Sequence, residues 1–125
     1  MATTLLIAFA LAQVEEAPAV KAAAVVEMTN DAKFVPAKVK IKVGETVEWK
    51  NRSKAMHTVT ADPDKAKDKS NVMLPEGAAP FDSGKIRPGG AFSHTFTVAG
   101  NYKYFCIPHE AKGMIGEVEV VAADE

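Results

Sequence analysis

An all-β fold of two packed sheets is what this sequence predicts, on three observations. Short runs rich in Val, Ile, Thr, Phe and Tyr recur along the chain, separated by Gly, Pro, Asn and Asp. Several runs alternate cleanly: Val39, Ile41 and Val43 interleave with Lys38, Lys40 and Lys42, and Val118 and Val120 with Glu117 and Glu119. Such strands bury one face and wet the other. No segment combines sustained helical periodicity with caps at both ends.

Taken in order, strands are predicted at residues 25–28, 38–43, 46–51, 57–61, 91–97, 100–106 and 116–121, with shorter pieces near Phe34 and Phe81. Gly44-Glu45 reads as a hairpin turn, and Pro88-Gly89-Gly90 and Ala99-Gly100-Asn101 punctuate the later strands. Trp49 falls mid-strand and is expected to anchor the core between the sheets. Phe92, His94 and Phe96 share one face of their strand, so His94 reads as a packing residue. Residues 61–80, with mixed charges, Pro63 and Pro75, are the least strand-like and read as a long loop or a short helix. Seven or eight strands in about 100 residues make two packed sheets, a β-sandwich.

A chain of 125 residues has room for one domain. Its balance of 47% hydrophobic and 25% charged residues is that of a soluble globular protein able to bury a core. The net charge of -1 sets up no field that would recruit nucleic acid or an anionic membrane. The opening MATTLLIAFALA carries a short apolar run ending in Ala10-Leu11-Ala12, as secretory signals do, although no Lys or Arg precedes it; a buried or frayed N-terminal segment is the competing reading. The run is far short of the ~20 residues that cross a bilayer, so no stable membrane insertion is expected. The expected organisation is therefore a signal peptide at residues 1–12, an Ala-rich tether broken by Pro18 at 13–24, and the domain at 25–123. Export is expected, to a periplasm ahead of a photosynthetic lumen, and the chain is expected to act as a monomer.

The single cysteine, Cys106, cannot form an internal disulfide, and a spare thiol in an oxidising compartment needs an occupant. It opens the segment Cys106-Ile107-Pro108-His109-Glu110-Ala111-Lys112-Gly113-Met114, where Cys, His and Met fall in the spacing C-x2-H-x4-M directly after a strand. Thiolate, imidazole and a weak thioether are the donors that suit copper cycling between Cu(I) and Cu(II), with two imidazoles and the thiolate near trigonal and Met axial. The loop supplies one imidazole, so a second must come from elsewhere; His57, at the start of a predicted strand, fits. Pro108 restricts its own φ and that of Ile107, while Gly113 lets the backbone turn before Met114, which makes the loop stiff.

This segment resembles the copper-binding loop of the cupredoxin family, of the plastocyanin and pseudoazurin kind, and the likeness extends over about residues 25–121. Supporting matches are Gly-Glu-Thr-Val-Glu-Trp ending at Trp49, the isolated His57 well before the Cys, and Phe81-Asp82-Ser83-Gly84 leading to Phe92-Ser93-His94-Thr95-Phe96. The resemblance implies a Greek-key sandwich of about eight strands and one mononuclear type 1 copper held by His57, Cys106, His109 and Met114. It also implies electron shuttling between redox proteins, such as a cytochrome or a copper or haem oxidoreductase, that dock near His109. Met56, Ile107, Pro108 and Ile115 are the expected docking surface. Thr58 stands where many members of the family carry an Asn whose side chain ties two ligand loops together, a departure that bears on that link and on the reduction potential.

Two rivals come from other classes. A Cys/His thiol hydrolase would need an orienting group and a cleft, and would leave Met114 without a role, so no enzyme is expected. A copper storage or delivery protein could use the same soft donors, and only its handling of the metal would distinguish it.

Overall fold

A computed structural model describes residues 21–124. The expected signal peptide and most of the tether, up to residue 20, lie outside the described residues. Nine strands form: β1 (Ala24–Met28), β2 (Phe34–Val35), β3 (Lys38–Lys42), β4 (Thr46–Asn51), β5 (Thr60–Ala61), β6 (Phe81–Asp82), β7 (Ala91–Thr95), β8 (Gly100–Phe105) and β9 (Ile115–Val121). They build a four-stranded sheet, β2-β1-β4-β7, facing a five-stranded sheet, β3-β9-β8-β5-β6. The expected two-sheet sandwich is what the chain forms, and the short pieces at Phe34 and Phe81 are its edge strands.

The alternation seen in the sequence is realised residue by residue. Val47 and Trp49 of β4 and Val118 and Val120 of β9 point inward and are buried, while their neighbours are exposed or half-exposed. Trp49 is fully buried and its Nε1 donates to the Tyr104 hydroxyl at 3.0 Å. Its ring meets that of Tyr104 edge to face, with centroids 5.3 Å apart. Since β4 and β8 belong to opposite sheets, this pair bonds the two layers through the core. Burial pushes the Tyr104 phenol well above its usual range, so the hydroxyl stays protonated. Gly116 lets the ring lie there, because a Cβ on that residue would overlap it.

Two local expectations are corrected. Gly44-Glu45 is a turn but not a hairpin: β3 pairs in parallel with β9, and β4 pairs with β1 and β7 in the other sheet. The turn carries the chain from one layer to the other because the apolar residues of both strands must face each other across the core. Gly44 adopts φ 92°, and Glu45 N–H donates to the Lys42 carbonyl at 3.0 Å. The strand predicted at 57–61 shrinks to Thr60–Ala61. The Thr58 and Val59 amides are taken by side chains, Cys106 Sγ at 3.4 Å and Ser83 Oγ at 2.8 Å, which leaves no regular ladder there.

Residues 61–80 hold two 3-10 turns, Pro63–Lys65 and Lys69–Asn71, each capped by an aspartate, Asp62 and Asp68. His94 packs as expected, stacked on Phe81 with centroids 4.0 Å apart, and burial lowers its pKa.

Candidate metal centre

The chain leaves β8 at Phe105 and returns as β9 at Ile115, and the loop between them is closed by its own backbone. Cys106 N–H donates to the Met114 carbonyl at 3.1 Å, His109 N–H to the Cys106 carbonyl at 3.1 Å and Met114 N–H to the His109 carbonyl at 3.3 Å. Residues Ile107–Lys112 form 3-10 turns with a kink at His109, started by Pro108 and stopped by Gly113 at φ 76°. The stiffness read from Pro108 and Gly113 thus has a structural counterpart: all three loop residues with donor side chains are bonded to one another through the main chain.

His57 arrives from the segment before β5. Its main chain is fixed by a two-way bridge to Ile86, His57 N–H to Ile86 O at 3.2 Å and Ile86 N–H to His57 O at 2.8 Å. Its Nε2 lies 3.2 Å from the Thr29 carbonyl. A carbonyl only accepts, so Nε2 carries the proton and Nδ1 presents a lone pair. That Nδ1 is 3.5 Å from Cys106 Sγ, and His109 Nδ1 is 3.4 Å from the same sulfur. The three donor atoms all lie within 4.8 Å of one another. Met114 is buried at the same end of the sandwich, its backbone paired with Cys106 and His109.

The donor set fits a soft transition metal. Imidazole and thiolate bonds of about 2.0 and 2.3 Å at trigonal angles place N and S ~3.7 Å apart, close to the separations found. Burial pushes the Cys106 thiol up despite the Thr58 and His109 hydrogen bonds that act the other way. Burial, and then the neighbouring His109, lowers His57. A neutral imidazole is ready to donate its lone pair, and the thiol would release its proton to solvent as a metal cation took its place, so metal uptake is coupled to proton release. The same burial disfavours a thiol hydrolase, whose nucleophile must be accessible and have a depressed pKa.

Of the residues supporting the loop the sequence marked Thr58 alone; Thr60, Asp82 and Glu110 carried no signal of this role. On its inner side, Thr58 Oγ1 accepts the Ile107 N–H at 2.9 Å and is bonded to Thr60 Oγ1 at 2.8 Å, and Thr60 in turn donates to Asp82 Oδ1 at 2.9 Å. Because Thr60 spends its proton on the carboxylate, Thr58 donates to Thr60, and the chain of hydroxyls has one direction. Threonine therefore ties the His57 segment to the Cys106 loop through its hydroxyl, and the link expected of Asn is present in another form. Burial alone would raise Asp82, but Lys65, the Gly84 amide and the Thr60 hydroxyl outweigh it and hold the carboxyl below its usual range. On the outer side, Glu110 accepts from Lys67 N–H and Asp68 N–H, both at 3.0 Å, and from the Asn71 amide at 2.9 Å. Glu110 fastens the loop to the second 3-10 turn of the 61–80 segment. Nothing in a mixed-charge stretch marks that glutamate, and a carbonyl such as Thr29 O leaves no sequence signal at all.

Cys106 is closed off from solvent, whereas His109 is half-buried and opens into an apolar concavity with Met56, Ile107 and Pro108. Met56 and Ile107 are 40% and 41% exposed, unusual for such side chains. Ile115, expected on this surface, is not part of the concavity; it is half-buried in β9, opposite Phe105.

Comparison with known proteins agrees with this geometry. Residues 20–121 match the family described as copper binding proteins, plastocyanin/azurin family. A plastocyanin of Scenedesmus fuscus is 37% identical over 87 residues, covering 70% of this chain and 85% of that one. A chloroplastic plastocyanin of Pisum sativum is 33% identical over 90 residues; the match covers 70% of this chain and 51% of that longer one. Among solved structures, an oxidized amicyanin with a single methionine substitution superposes with a TM-score of 0.61 at 32% identity, covering 86% of this chain and 87% of the other. With its sandwich, its Cys-x2-His-x4-Met loop and a family match spanning the whole described domain, the chain belongs to the plastocyanin/azurin family of copper-binding proteins.

Proposed function

We propose that this protein carries single electrons between larger redox partners, through one copper held by His57, Cys106, His109 and Met114, and that it does so after export. The observation that carries this reading is the convergence, within 4.8 Å, of the His57 imidazole with the Cys106 sulfur and His109 imidazole of a loop closed by its own backbone. Bound there, copper supplies a one-electron Cu(I)/Cu(II) couple.

The chain's own residues do the rest. The loop hydrogen bonds and the Thr58 hydroxyl hold the donors so that their positions need not change between oxidation states. Burial of Cys106, His57 and Met114 excludes water from the site. Half-buried His109 is the way out, and the apolar surface of Met56, Ile107 and Pro108 lets a partner approach its edge without desolvating charge. Electron carriage is supported by the pairing of a buried donor cluster with an apolar docking face. Among the described residues no helix is long and apolar enough to cross a membrane.

Titrating the apo-protein with Cu(II) tests the reading. An intense blue thiolate-to-copper band and reversible one-electron voltammetry are expected. A colourless product, or rapid loss of copper to a chelator, sinks electron carriage in favour of storage or delivery. Ile107→Lys should slow exchange with a redox partner several-fold and leave the band in place; a shifted band with normal exchange would remove Ile107 from the docking face.

A further inference from the structure

We infer that the partner docking at His109 presents an acidic protein surface, because the rim of the site concentrates positive charge that the net charge of the chain conceals. The inference rests on the electron-carrier reading and adds to it the chemistry of the partner.

The concavity at His109 is lined from three stretches of chain, within residues 55–58, 84–85 and 107–109. Lys85 lines it, and Arg52, Lys54, Arg87 and Lys112 stand within three residues of a lining residue along the chain, against two carboxylates counted the same way, Asp82 and Glu110. The whole chain sums to -1, so by difference the remainder is acidic. Both carboxylates are already engaged, Glu110 accepting hydrogen bonds from Lys67, Asp68 and Asn71, and Asp82 paired with Lys65 at 2.7 Å. Of the cations only Arg52 has a partner: the ion pairs among the described residues are Arg52 with Glu27 and Lys65 with Asp82. Lys54, Lys85, Arg87 and Lys112 are exposed and lack a carboxylate partner among those residues. The adjoining turn after β1 adds Asp31 and Lys33, which cancel.

The arrangement is an apolar centre with a cationic rim, and the two parts do different work. The centre gives close approach to His109, whereas the rim steers diffusional encounter and selects the sign of the partner. A carboxylate-bearing face is drawn in and a lysine-bearing face is turned away. The far end of the sandwich, where Lys21 and Lys42 stand at the ends of the strands remote from the loop, supplies a matched control.

The test uses the protein loaded with copper and reduced to Cu(I), and two outer-sphere one-electron oxidants of opposite sign, the anion hexacyanoferrate(III) and the cation tris(phenanthroline)cobalt(III), with polyglutamate as a competing acidic polymer. Oxidation by the anion should slow as NaCl is raised and be inhibited by polyglutamate, while oxidation by the cation should quicken with salt. Lys85→Glu with Lys112→Glu should cut the anion rate on the order of tenfold, and Lys21→Glu with Lys42→Glu, the same change in net charge, should leave it nearly unmoved. Equal salt slopes for both oxidants, or equal effects of the two double variants, overturn the acidic partner while reversible voltammetry leaves electron carriage standing. Inhibition by phosphatidylglycerol vesicles but not by polyglutamate also overturns it, in favour of a membrane surface. Exchange with neither oxidant overturns both readings.

Discussion

The ligand loop is held from two sides, and the two supports contrast in kind. On the inner side the Thr58–Thr60–Asp82 chain is buried at its threonine end and one-directional, and it takes up the Ile107 amide. On the outer side Glu110 gathers three donors at the surface. Counted as hydrogen bonds they are similar. Energetically they are not, because water can replace what the glutamate offers and cannot reach Thr58. The inner support therefore sets the position of the loop, and the outer one restrains a neighbouring segment.

The largest effect expected comes from removing what both supports serve. Cys106→Ser should abolish the blue band and lower copper affinity by orders of magnitude, while circular dichroism of the apo-protein keeps its β signature, since neither support runs through the sulfur. Next is Thr58→Val, which keeps the shape but leaves the Ile107 amide without its acceptor. It should cost about 1–3 kcal/mol in denaturant unfolding and shift the reduction potential measurably. An unchanged potential would mean that the inner support only stabilises the fold. Glu110→Ala should cost under about 1 kcal/mol and leave the band intact, with faster amide exchange at Lys67 and Asp68 as its signature. If it cost as much stability and moved the potential as far as Thr58→Val, the two supports would be equivalent and the contrast would fail.

The smallest effect concerns pH. Burial lowers the pKa of both His57 and His94, and the part of the loss of stability in weak acid that belongs to His94 is the part a substitution there removes. Burial lowers its folded pKa, so its contribution is complete above the unfolded value of about 6.5 and is lost as pH falls through the folded one. His94→Phe, packed among Phe81, Phe92 and Phe96, should flatten that dependence. Asp82 acts lower: its depressed carboxyl contributes fully above its ordinary pKa of 3.8, and the contribution fades only as pH drops through the folded value.

What could be read in the sequence follows from how local each feature is. The strand 46–51 was predicted to the residue because its alternation lies within six consecutive positions. The donor loop was legible because three chemically distinctive side chains fall within nine residues, and His57 because the set needed one more imidazole. The shortening of 57–61 was not legible: its cause is a hydroxyl and a sulfur, Ser83 and Cys106, far along the chain. The Gly44 turn looked like a hairpin because a turn's residues report its local shape and not which sheets its flanking strands join.

The hydrogen bond from Trp49 to Tyr104 bears on more than the core. Tyr102, Tyr104 and Cys106 have the same parity along β8 and its continuation, so the layer that seats the tyrosine also aims the cysteine. A substitution such as Gly116→Ala, which would drive the Tyr104 ring aside, would be transmitted two residues along the strand to the sulfur. The colour of the loaded protein is in that sense a strain gauge for its interior, reporting on the packing between the sheets from a site at their edge.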